Sequence, residues 1–87
     1  MLTLEEFRAT RRSVDDAEAE LGFDHGLGPV PALIYDNCCY IENLGHGDYY
    51  LFIENSQWNE SGTDGLARLE ELLYSEWYVH EKSGDWV

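Results

Sequence analysis

The segment YYLFIE at residues 49–54 alternates Tyr50 and Phe52 with Leu51 and Ile53, so a strand here has one aromatic face, one aliphatic face and no polar face. An antiparallel sheet wetted on one side alternates apolar with polar residues instead. Both faces of such a sheet need cover, either from helices on both sides or from one helical layer and a binding partner on the aromatic side.

Two more segments, 32–35 and 38–43, are rich in Ile and Tyr and bounded by turn residues, and a short fourth strand is expected around Gln57 and Trp58. Asp36 and Asn37 both tolerate positive φ, which predicts a two-residue primed turn pairing Tyr35 with Cys38 and Ile34 with Cys39. In that register the adjacent cysteines point to opposite faces. Cys39 lies with Ala32, Ile34 and Ile41, and Cys38 with Leu33, Tyr35 and Tyr40. Thiols thrown apart by strand geometry do not join in a disulfide, and adjacent cysteines lack the ligand number and spacing of a zinc site. Both are read as small apolar strand residues.

Helical periodicity flanks the strands. Thr3 and Glu6 have capping-box spacing and Leu2 with Phe7 the spacing of a hydrophobic staple, so a helix starts at Leu4. Leu4, Phe7, Val14, Ala17 and Leu21 form one apolar stripe ending at Gly22. We read one helix; Ser13, three residues before Asp16, marks the alternative of two short helices with a bend. FDHGLGPVP is a loop. The last helix starts near Asp64, with Ser61, Thr63 and Asp64 as candidate caps, and runs to about Tyr78 with Leu66, Leu69, Leu73 and Trp77 along one side. Residues 80–87 are expected to form a tail with Trp86 folded back. The expected fold is α+β and a single domain over 1–87: an N-terminal helix, a three- to four-stranded antiparallel β-meander, and a C-terminal amphipathic helix packed on the sheet.

Eighteen acidic residues face five basic ones, for a net charge of −13. Arg8, Arg11 and Arg12 stand with Glu5 and Glu6 in the first twelve residues (+1), and residues 13–87 hold two basic against sixteen acidic groups (−14). A field of that sign repels phosphates and anionic lipid, so direct nucleic-acid or membrane binding is not expected and a basic protein partner is favoured. No apolar run approaches the roughly 18 residues of a membrane span, and MLTLEEFRAT lacks the order of a signal peptide, so a cytoplasmic location is expected.

Signals for catalysis are weak. His25, His46 and His80 have Asp24, Asp48 and Glu81 nearby, but no two share metal-ligand spacing, and GxSxG, GxGxxG, P-loop and HExxH patterns are absent from the sequence. No metal, cofactor or enzymatic activity is expected. The positive signal is the joining of carboxylates with surplus aromatics, since Tyr and Trp anchor interfaces and acidic groups around them steer a basic partner. Tyr40, Glu42, Asp48, Tyr50, Phe52, Glu54, Trp58 and Glu60 are the candidate partner-binding residues. In size and acidity the chain resembles small antagonist proteins of phage and bacterial conflict: anti-CRISPR proteins, nucleic-acid mimics and toxin immunity proteins. The likeness implies no residue assignments. The expected role is a stoichiometric inhibitor that occludes a basic, nucleic-acid-binding protein; the alternative is a structural or regulatory protein that homodimerises through its aromatic sheet face.

Overall fold

The computed structural model of the chain describes residues 1–22 and 32–84; the loop expected at 23–31 and the folded-back Trp86 lie outside the described residues. The protein is α+β, with a five-stranded antiparallel sheet in the order β1 (Arg12–Ser13), β2 (Ala32–Tyr35), β3 (Cys39–Gly45), β4 (Asp48–Ile53), β5 (Ser56–Ser61). Five strands replace the three or four expected. The short strand expected around Gln57 and Trp58 is β5, and the addition is β1, whose two residues are too few to show periodicity.

The N-terminal capping box is present: Thr3 N–H donates to Glu6 Oε1 at 2.9 Å and Glu6 N–H to Thr3 Oγ1 at 3.2 Å. The single helix expected over 4–21 is instead two, α1 (Leu4–Ala9) and α2 (Val14–Leu21). Between them Arg12 and Ser13 extend to pair with Ile34 and Leu33, and Ser13 Oγ caps α2 by accepting from Asp16 N–H at 3.1 Å. Sheet pairing and a cap together outweigh helical continuity here. The break turns α2 onto the opposite side of the sheet from the C-terminal helix, where Val14 and Ala17 bury Ala32 and Ile34. Gly22 ends α2 in the left-handed conformation, φ 73°.

The C-terminal helix covers the aliphatic face. It starts at Gly62, runs as α3 (Gly62–Leu73), passes through a π-helical turn (Tyr74–Tyr78) and ends as α4 (Val79–Ser83), several residues beyond the expected end. A side chain at Gly65 would put its Cβ 3.0 Å from Glu60 Cβ, so glycine lets α3 fold straight back onto β5. Leu66, Leu69 and Leu73 pack on Ile41, Leu51 and Ile53 as expected. Trp77 does not continue that stripe. The wide turn, in which Val79 N–H donates to Tyr74 C=O, slips the helix phase by one residue and sends Tyr78 into the core, leaving Trp77 at the rim. There Tyr78 meets Phe7 at 4.6 Å between ring centroids, and Phe7 stacks on Tyr35 at 5.0 Å.

Among the described residues, one charged side chain lies in this core. Glu70, 3% exposed, accepts from Tyr35 Oη at 2.6 Å and from Arg11 Nη1 at 3.0 Å, and lies 3.3 Å from Arg8 Nε. It ties α1, the link to β1, and β2 to α3. Removing the carboxylate leaves the buried Tyr35 hydroxyl without its acceptor while Arg8 and Arg11 stay partly in solvent, so Glu70→Ala is expected to lower the unfolding free energy by about 1–3 kcal/mol in urea denaturation. Glu71→Ala, which breaks an exposed 3.6 Å contact to Arg8, changes it by at most about 1 kcal/mol.

Candidate functional site

The β2–β3 connection corrects the expected register. Asp36 and Asn37 have positive φ, 49° and 54°, as their residue types allow, but Cys38 belongs to the turn as a third residue. Pairing is therefore Tyr35↔Cys39, Ile34↔Tyr40, Leu33↔Ile41 and Ala32↔Glu42, one residue from the expected alignment. Cys39 thus shares a face with Tyr35, Leu33 and Ile41. Because Cys38 is not in a strand, the two thiols are not thrown apart: their sulfurs lie 3.8 Å from each other, and each lies 3.6 Å from Tyr35 C=O. Both cysteines are free, Cys38 exposed and Cys39 buried.

The corrected register sorts the candidate partner-binding residues by face. Glu42↔Tyr50 is a direct cross-strand pair, and Tyr40, Asp48 and Phe52 fall on the same side by alternation. Among the described residues this side is covered by α2, over β1 and β2 only. Beyond it Phe52 is 57% exposed and Tyr40 42%. The other three candidates lie elsewhere. Trp58 stands opposite Leu51 and packs, half-buried, against the core under α3. Glu60, opposite Tyr49 on that same covered side, pairs with Arg68 at 3.2 Å. Glu54 forms the β4–β5 turn at φ 53°.

Between β3 and β4 the ladder consists of Glu42↔Tyr50, Asn43↔Tyr49 and Gly45↔Asp48. No ladder pair joins residues 39–41 to residues 51–53. At that end the strands part around a cleft of ≈ 330 Å³, with Tyr40, Glu42, Tyr50, Phe52 and the half-buried Trp77 at its walls and the buried Cys39 and Leu73 behind them. Trp77 and this cleft were missed in the sequence reading. The signal was Trp77 itself, whose expected core place a one-residue helix slip vacates.

Electrostatically, all five Lys and Arg side chains are engaged within the chain. Arg8 and Arg11 meet Glu70, Arg12 meets Glu20, Arg68 meets Glu60, and Lys82 lies 3.9 Å from Asp36. The remaining excess of carboxylate sets the outer field. Glu42 makes no ion pair among the described residues. His46 sits in a turn at φ 55° and is exposed, and no group of three or more His, Cys, Asp or Glu is placed to hold a metal among the described residues. No helix among them is long and apolar enough to cross a membrane.

Compared with protein-family models, curated proteins and solved structures, the chain matches none.

Two titrations check the site's surroundings. Burial, then the neighbouring thiol, raises the Cys39 pKa, and partial burial raises that of Cys38. Thiolate is the reactive form, so a disulfide reagent at neutral pH should label Cys38 slowly and Cys39 only after unfolding, and reductant should leave the melting temperature unchanged. Equal, fast labelling of both would contradict this placement. Tyr78 is pushed up to about 12 by burial and by the hydrogen bond its hydroxyl donates to Asp36 at 2.8 Å. The raised value means the folded state favours the neutral phenol, so its contribution is complete below the unfolded pKa of about 10 and is lost as pH climbs through about 12. Phenolate absorbance should show this late tyrosine, and Asp36→Asn should bring its titration down.

Proposed function

We propose that the chain is a stoichiometric protein-binding inhibitor that docks the open face of its sheet on a basic, nucleic-acid-binding protein and covers the lysines and arginines that would meet phosphate. The observation that carries the reading is the open half-face itself: Tyr40, Tyr50 and Phe52 stand beside Glu42 and Asp48, with α2 stopping short of them. Exposed aromatic rings supply desolvated anchor area, and carboxylates among them favour a positively charged surface opposite. Every Lys and Arg lies within reach of a carboxylate of the chain itself, which weakens its repulsion of such a partner.

In this reading the roles divide. The net charge of −13 accelerates encounter, and the rings hold the complex. The carboxylates act as a group, because each exposed pair contributes only about 0–1 kcal/mol. A ring at the centre of the contact contributes more, about 2 kcal/mol or above on truncation.

The test starts with capture of partners on immobilised wild-type chain and on a Tyr40→Ala/Phe52→Ala variant, followed by association kinetics of the retained protein against salt. A basic protein retained by wild type alone, released from its nucleic acid by the chain, and associating several-fold more slowly as salt rises, supports the proposal. The individual changes Glu42→Gln and Asp48→Asn should each slow association modestly. An acidic or neutral partner, or an association rate indifferent to salt, overturns it. So does a solution mass of two chains that reverts to one in the double variant, which would make the face a self-interface.

A further inference from the structure

The cleft where β3 and β4 part holds more than an apolar anchor would need. Tyr40, Tyr50, Phe52 and Trp77 contribute aromatic rings to it from two strands and the π-helical turn, and Glu42 contributes a carboxylate with no cation paired to it among the described residues. Its volume of ≈ 330 Å³ suits a single side chain or small ligand rather than a segment of chain. Ring faces carry negative quadrupole potential and attract cations, most strongly where water is excluded. Behind them Cys39, Ile53 and Leu73 form an apolar floor, which lowers the local dielectric and strengthens the pull of Glu42 on a positive charge.

We propose that this cleft is a receptor for an arginine side chain of the partner, its guanidinium stacked among the aromatic rings and its charge met by Glu42. The proposal rests on the reading of a basic protein partner and names the side chain that partner inserts. Guanidinium fits better than ammonium on three counts. It is planar and stacks on ring faces, it is the more weakly hydrated cation and so costs less to bring out of water, and its fork of donors can meet a carboxylate with two parallel hydrogen bonds. Anionic ligands are opposed by Glu42 and, at the Cys38 end, by Asp36 and Glu81. Lys82 acts on that same end, but its ammonium is held 3.9 Å from Asp36 and lies over the Tyr78 ring at 5.7 Å from the centroid. The chain thus already holds one cation between a ring and a carboxylate.

The experiment is a nuclear magnetic resonance titration of the full, isotope-labelled chain with N-acetyl-arginine methylamide, with the Trp77 indole N–H signal assigned through Trp77→Phe. Two further probes are the lysine derivative, of equal charge, and the citrulline derivative, a neutral isostere of arginine. A saturable Trp77 shift with the arginine derivative, about tenfold weaker binding of citrulline, and intermediate or weaker binding of lysine are expected. Phe52→Ala and Glu42→Gln should each weaken the arginine derivative about tenfold, and Glu5→Gln, which removes an equal charge from α1, should leave it unchanged. Circular dichroism confirms that each variant is folded. Equal binding of arginine and citrulline, equal binding of arginine and lysine, or a shift that survives both Phe52→Ala and Glu42→Gln overturns the proposal. A chain that captures its basic partner through Tyr40 and Phe52 yet gives no Trp77 shift loses the arginine receptor and keeps the docking face. A Trp77 shift without any basic partner does the reverse.

Discussion

Glu70 holds its carboxylate out of solvent in the middle of α3, and the groups that close around it come from three other places: Arg8 on α1, Arg11 just before β1, and Tyr35 on β2. A leucine at this position would extend the Leu66, Leu69, Leu73 stripe without any desolvation cost. A carboxylate adds direction instead, because hydrogen-bond donors must approach its oxygens along defined lines, whereas apolar packing is indifferent to orientation. The first twelve residues and the last helix are thereby oriented against each other across the edge of the sheet. Thr10 reinforces the arrangement, since its hydroxyl donates to Phe7 C=O at 2.6 Å and accepts from Asp36 N–H at 2.8 Å. The turn that carries the cysteines is so tied to the end of α1.

This network also explains a distribution of charge that looks odd along the chain. The basic cluster Arg8, Arg11, Arg12 meets acceptors of the chain itself. Two of its members neutralise a buried carboxylate and the third spans Glu20 and Asn37, where Arg12 Nη2 donates to Asn37 Oδ1 at 2.9 Å. Cations spent inside the fold leave a surface on which acidic groups are barely opposed. Net charge by itself keeps a small protein soluble. Its coincidence with exposed aromatic rings on one half-face is what the proposed docking on a basic partner rests on.

Local signals in the sequence were read well and phase was read poorly. Thr3 with Glu6, the positive φ of Asp36 and Asn37, Gly22, and the Leu66–Leu69–Leu73 stripe each depend on a few neighbouring residues, and each appears in the structure as expected. The misses are all shifts of register or phase: one residue between β2 and β3, one residue at the π turn, and the break of the first helix at Arg12 and Ser13. A one-residue slip leaves composition and periodicity almost untouched and still moves side chains to another face. Glu70 was missed for a related reason. Among eighteen acidic residues nothing marks one as buried except its place within the leucine arc, with two arginines three residues apart available to meet it. The open face was legible in outline, since the alternation of Tyr50 and Phe52 with Leu51 and Ile53 required cover that only one helix supplies in full; Trp58 was not, because its half-burial follows from pairing opposite Leu51.

The slips also account for the cleft. Had the last helix stayed α-helical through residue 78, Trp77 would have continued the leucine stripe into the core, and Tyr78 would not have reached Phe7. Had the β3–β4 ladder continued past Glu42 and Tyr50, residues 39–41 and 51–53 would have closed on each other with Cys39 beside Ile53. The structure departs from regularity at both places, and the departures adjoin: the wide turn sets Trp77 at the rim where the strands separate. Regular ladder and helix hydrogen bonds satisfy backbone groups at little cost, so forgoing them at two adjacent places needs compensation. For the π turn the compensation is visible in the aromatic cluster of Phe7, Tyr74 and Tyr78, with Tyr74 Oη donating to Leu2 C=O at 2.8 Å. For the parted strands none of comparable size is found among the described residues on the open side, where Tyr40 and Phe52 are exposed. A ligand that filled the cleft would supply it, and the carboxylate of Glu42 among the rings makes a cation the ligand that gains most by entering.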